Sequence, residues 1–265
     1  MLWLALLALW LPQPPSADSW LQLVEQKIAQ GDPAGALQAA QDGLAVHPQS
    51  VPLLKAAGRL LLRDQRRSAL ARDPLTRAVQ LAPQDPETHY YFSQWACLHN
   101  MDALCETEAR KALEMAPGNE QASLQLNTLI GMAAERQNRP EAAEQAHRRS
   151  LESNRKTGLR DPLAAYQYLD FLLKRGRDED AQTLVALLID RAPSFGPAWL
   201  ERAKYLARQG KTTAAIDLAE KALTLQAMDT EKLRAAHVLL ARAYFQLGRE
   251  EEAARHQAWV EQNRD

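Results

Sequence analysis

Two cysteines, six histidines and one Gly-Lys-Thr triplet are the residues of this sequence whose types and spacing could do chemistry. Gly210-Lys211-Thr212 has the ending of a phosphate-binding loop. That motif needs a Gly five residues before Gly210, where Tyr205 stands, and a strand ahead of it. His47, His89, His99, His147, His237 and His256 make no close ligand pair at helical spacing with a carboxylate, so no metal site is expected and each is assigned to a surface or wall position. No Gly-x-Ser-x-Gly, paired catalytic carboxylate or Cys/His arrangement occurs, which leaves no catalytic residue to name and no cofactor to expect. Cys97 and Cys105 lie almost symmetrically about Asn100. They could face each other as a disulfide across a helical turn, or serve as two small apolar residues.

Charge narrows the class further. The chain has 265 residues, 46% of them hydrophobic, with 32 Lys and Arg against 33 Asp and Glu. That balance lacks the basic surplus that phosphate contacts require, so nucleic acid is not an expected partner. Two cysteines supply neither a disulfide-dense scaffold nor a four-ligand zinc site.

The run from Met1 to Leu11 is apolar without a break and stops at Pro12. Eleven residues fall short of the roughly 20 that span a bilayer, but suit the apolar region of a secretory signal, with Ser16 and Ala17 offering a cut before Asp18. No Lys or Arg precedes Lys27, so the usual positive leader is reduced to the terminal amine. Residues 1–17 are therefore assigned as a signal peptide or short hydrophobic N-terminal segment. Export to a periplasmic or extracellular space is the expectation, with a membrane-anchored or cytoplasmic chain as the alternatives. Any contact with a membrane would run through this segment if it stays uncleaved.

The elements that must position any site emerge from self-similarity. Ala36, Ala71, Cys105, Ala143, Ala181, Ala215 and Ala253 recur at spacings of 34 to 38 residues. Five residues before each, Gly31, Asn100, Asn138, Gly176, Gly210 and Gly248 are the types that tolerate the left-handed conformation ending a helix. Arg66 breaks that column, in a loop one residue longer. Seven residues after each small residue, Gly43, Ala78, Ala112, Ser150, Leu188, Ala222 and Val260 extend the stripe by two helical turns. Pro48, Pro83, Pro117 and Pro193 close second helices. Seven helix-turn-helix units are predicted, least certain in their bounds around the long connection from Asn154 to Pro162.

This layout resembles the tetratricopeptide repeat over nearly the whole chain after Asp18. Trp20 and Trp199 match the aromatic opening the first helix, Gly58, Ser93, Gly131, Ala203 and Ala241 its small residue, and Tyr244 its later aromatic. The resemblance implies an all-α fold, a right-handed α-solenoid superhelix of about seven repeats over 18–265. It further implies a concave groove lined by the first helix of each unit, which holds a segment of a partner protein. Outward positions on those helices are Tyr90, Gln94, Gln125, Thr128, Met132, Arg136, Tyr166, Asp170, Lys174, Lys204, Arg208 and Arg242. Two tyrosines with a basic C-terminal half suit a peptide bearing carboxylates. The Lys and Asn clamp by which some family members take a C-terminal carboxylate is absent. The role implied is a non-enzymatic scaffold; the alternatives are an envelope assembly factor of the cytochrome c maturation or pilus and secretion type, or a helical accessory subunit of an enzyme complex.

Overall fold

The computed structural model describes residues 15–263, so the apolar run from Met1 to Leu11 lies outside the described residues. Fourteen α-helices fill those residues: α1 (Ala17–Ala29), α2 (Pro33–Val46), α3 (Val51–Leu62), α4 (Arg72–Leu81), α5 (Pro86–Leu98), α6 (Asp102–Met115), α7 (Glu120–Arg136), α8 (Pro140–Lys156), α9 (Pro162–Lys174), α10 (Asp178–Arg191), α11 (Gly196–Arg208), α12 (Thr212–Leu223), α13 (Thr230–Gln246) and α14 (Glu250–Gln262). Among the described residues the only β pairing is a single bridge between Phe195 and Gln226, and no helix is long and apolar enough to cross a membrane. Each odd-numbered helix pairs with the next, so the chain is an all-α solenoid of helix-turn-helix repeats. It divides into two compact units. The first runs to Gly118 and takes in Met132–Asn138; the second holds Asn119–Gly131 and the chain from Arg139 onward.

The small-residue columns explain the pairing. Ala36, Ala71, Cys105, Ala143, Ala181 and Ala215 are wholly buried and Ala253 nearly so, which lets each second helix approach its partner closely. The first helix reciprocates with its own small residue. A Cβ on Gly58 would stand 2.3 Å from Leu75 Cδ2, and one on Gly131 2.7 Å from His147 Cε1. The turn column adopts the left-handed backbone throughout, Asn100 and Asn138 at φ 56° included. Asp32, Asp85, Asp161 and Asp229 cap the helices they precede, each accepting a backbone N–H of the first turn. The prolines at 48, 83, 117 and 193 follow helices that stop two residues earlier.

The second and fourth hairpins depart from the common plan. Where Arg66 replaces the turn Gly, Asp64 accepts from the Arg66 backbone and from Arg67, and a 3-10 turn at Ser68–Ala71 leads into α4. In the fourth, α8 is lengthened to 17 residues. Buried Asn154 closes the loop that follows, donating to the Asp161 carbonyl at 2.6 Å and accepting from its N–H at 3.2 Å. On the inner face of α8, Ser150 donates to the Leu124 carbonyl at 3.0 Å and lies 2.7 Å from the Thr128 hydroxyl.

Two histidines correct the assignment to surface or wall positions. His147 is 1% exposed and fills the space Gly131 leaves, ring against ring with Tyr168 at 5.8 Å and Phe171 at 5.6 Å. His89 is buried on α5, with Nδ1 2.5 Å from Glu108 of α6 and Nε2 3.0 Å from the Pro83 carbonyl. The same hairpin carries the disulfide Cys97–Cys105, its Cα atoms 5.1 Å apart.

Candidate partner-binding groove

In the first unit α1, α3 and α5 pack side by side. Leu21, Glu25, Lys55, Arg59, Glu87 and Tyr91 line a cavity of about 190 Å³ on them. Its charges are already spent on each other. Arg59 meets Glu25 at 2.9 Å, Lys55 meets Asp85 at 2.8 Å and Glu87 at 2.6 Å, and the Tyr91 hydroxyl donates to Glu87 at 3.1 Å. Burial opposes the Lys55 charge, but Asp85 and Glu87 outweigh it and hold the amine above its ordinary range. Further along α5, Gln94 donates to the Tyr90 hydroxyl at 2.7 Å, so these two close on one another. Arg136 meets Asp102 at 2.6 Å and donates to the Cys97 carbonyl near the end of α5 at 3.1 Å.

The second unit differs. On α9, Tyr166 is half-buried, its ring edge-on to Phe195 at 5.7 Å, its hydroxyl 3.4 Å from Glu201, and the Lys232 ammonium 5.6 Å from the ring centroid. Burial, then the Glu201 and Asp170 carboxylates, push its phenol well above the ordinary range. Asp170 pairs with Lys174 at 2.7 Å. Thr128 on α7, read as outward-facing, instead bonds inward to Ser150 of α8.

Lys204, Arg208 and Arg242 are brought together. With Thr212 and Gln246 they rim a groove of about 450 Å³ formed by α11, α13 and the start of α12, over an apolar floor that includes Ala207, Val238 and Leu239. No carboxylate is among its lining residues. Lys204 is tied to Glu201 at 2.7 Å, and Arg208 is held by an exposed Asp178 at 3.3 Å. Arg242 is exposed and forms no ion pair with a described residue. The groove thus offers one free guanidinium and two more cations beside apolar surface, an arrangement that takes a carboxylate by bidentate hydrogen bonding with an aliphatic or aromatic neighbour packed below.

Of the positions read from the sequence, Tyr90, Gln94 and Arg136 are engaged within the first unit and Tyr166 and Asp170 within the second, while three cations share one groove. The first unit's cavity was missed. Its signal was present, because Glu25 precedes Ala36 by the same eleven residues by which Lys204 precedes Ala215 and Arg242 precedes Ala253.

The sequence profile described as tetratricopeptide repeat matches residues 21–86, 170–230 and 200–258. No curated protein sequence matches the chain significantly. Solved structures do match in shape. A tetratricopeptide repeat protein from Parabacteroides merdae is similar at a TM-score of 0.65 and 17% identity, over 93% of this chain and 92% of that one. The Cut9–Hcn1 hetero-tetramer of APC/C gives 0.69 at 13% identity, over 87% of this chain and 43% of that one. PilW, a type IV pilus biogenesis factor, gives 0.60 at 16% identity, over 81% and 94%.

Proposed function

The chain belongs to the tetratricopeptide repeat family, and we propose that it is a non-enzymatic scaffold whose second unit holds an acidic, partly apolar segment of a partner protein in the groove of α11, α12 and α13. Repeat folds of this family are protein-interaction scaffolds; the choice of groove and of partner chemistry is the proposal. One observation carries it: Lys204, Arg208 and Arg242 rim an apolar groove that has no carboxylate of its own, whereas the first unit's cavity is internally neutralised. Charge complementarity then selects an acidic segment and speeds its encounter. The test is selection of short peptides from a random display library by the full chain. Peptides with Asp or Glu beside an aliphatic or aromatic residue should be enriched, and Arg208→Glu with Arg242→Glu should abolish their capture without shifting thermal melting. Enrichment of basic or featureless peptides would sink the reading.

We further propose that the scaffold works outside the cytoplasm, as the Met1 to Leu11 run suggested. The Cys97–Cys105 bridge supports this, since such bonds persist in oxidising compartments. Ser16 accepts from the Ser19 N–H at 3.2 Å, and the Pro15 carbonyl lies 2.7 Å from His47 Nε2, so a cut before Asp18 would remove the cap of α1. Mass spectrometry of the mature N-terminus decides the matter: a start near residue 18 supports export, and an intact Met1 on a cytosolic chain contradicts it. Proteins co-purifying from the envelope, or with an active enzyme, would separate the assembly-factor and accessory-subunit alternatives.

A further inference from the structure

Behind the cationic groove, on the opposite side of α13, lies a cluster that the scaffold reading does not use. His237 of α13 and His256 of α14 face each other with Nδ1 2.8 Å from Nδ1. His237 stacks on Trp259 of α14 at 4.0 Å, nearly parallel, and His256 stacks on Tyr244 at 5.6 Å. Glu220 of α12 lies 3.3 Å from His256 Nε2 and accepts from the Tyr244 hydroxyl at 3.1 Å. These contacts join three helices through two imidazole rings.

We propose that His237 and His256 form an acid-sensitive latch, closed while one proton is shared between their Nδ1 atoms and opened when both rings become cations, which releases the C-terminal turns of α14 from α13. The proton count gives the reason. A neutral pair places one N–H in the contact, donating to the other ring's lone pair. One added proton leaves that contact intact, because it takes up the remaining ring nitrogen, and Glu220 faces the charge. A second added proton puts N–H against N–H at 2.8 Å between two cations, and the contact has no acceptor left.

Few other charges face His237. From α12 there is Glu220, and from α14 there is His256. On α13 itself, the Arg234 guanidinium is turned to the Asn263 carbonyl, and the Tyr244 hydroxyl is occupied by Glu220. At the start of α14, Arg249 and Glu252 pair at 2.6 Å. Lys204 and Arg208 of α11 face α13 from the groove side. Burial, then His256, hold His237 below its ordinary value, with Glu220 opposing. The opened form therefore binds the proton more readily than the closed one. Latch stability is complete above about pH 6.5 and declines as pH falls through the lowered value. Ala253 remains packed on Leu240 and Ala243, so opening is local to the end of the helix.

Hydrogen exchange on the full chain, corrected for intrinsic rates, reads the latch directly. Between about pH 7.5 and pH 5, protection of residues 256–262 should fall by about 10-fold or more while α1–α6 are unchanged. His237→Phe keeps an aromatic on Trp259 but removes the titration, and should leave less than about a 2-fold change. Glu220→Gln removes the carboxylate that faces the charge in the closed form, and should move the loss of protection to higher pH. Protection in 256–262 that is independent of pH, or an equal loss in His237→Phe, would overturn the latch. Neither readout involves a partner, so failure here and failure of the groove reading are separate results.

Discussion

At the residue scale, the close approach of paired helices is set by single atoms. Gly131→Ala would gain about 1 kcal/mol in helix propensity, but its Cβ meets a buried imidazole, and overpacking of this kind costs about 1–3 kcal/mol. A net loss of about 1 kcal/mol in urea unfolding of the second unit is expected; a gain would show that His147 yields easily. Asn138→Ala should lose about 1 kcal/mol because Ala resists the left-handed turn, and Asn138→Gly should not. These residues were legible from the sequence because the repeat displays its turn residue in six of seven units and its small first-helix residue in five. His89 and His147 were not, since the sequence offers no sign that Gly131 opens a space or that Glu108 stands across from His89. Tyr166 shows the same limit. Wedged against Phe195 and Glu201, it supports packing, so Tyr166→Ala should lower stability as well as any binding.

At the element scale, the α5/α6 hairpin has a covalent tie as well as the His89–Glu108 contact. Closing a loop of separation 8 by a disulfide is worth about 2.5 kcal/mol in the chain-entropy account. Reduction, or Cys97→Ala with Cys105→Ala, should lower the urea midpoint of the first unit and leave α9–α14 unaltered in hydrogen exchange. An unchanged midpoint would mean the tie is redundant with packing. Helix order, turns and inner stripe followed from Ala, Gly, Asn and Pro columns, whose physics is local. The 3-10 turn before α4 and the extension of α8 did not, because they depend on capping by Asp64 and on loop closure by Asn154, side-chain contacts invisible to spacing.

At the scale of the whole molecule, the two units present first-helix faces of different character, one a cavity whose charges pair with one another and one a groove lined by three cations, of which Arg242 forms no ion pair with a described residue. Ion pairs exposed to solvent contribute about 0–1 kcal/mol each, so the first unit's network shapes specificity more than stability. A free Arg at an apolar groove is the type of residue that dominates binding energy, and Arg242→Glu should weaken an acidic peptide by at least about 10-fold with melting unchanged. Glu25→Gln, in the first unit, should leave that affinity within about 2-fold. The most direct test is hydrogen exchange of the full chain with and without a display-selected acidic peptide. New protection concentrated in α11 and α13, around Lys204, Arg208 and Arg242, is the predicted result. Protection confined to α1, α3 and α5, or protection that persists in Arg242→Glu, would contradict it.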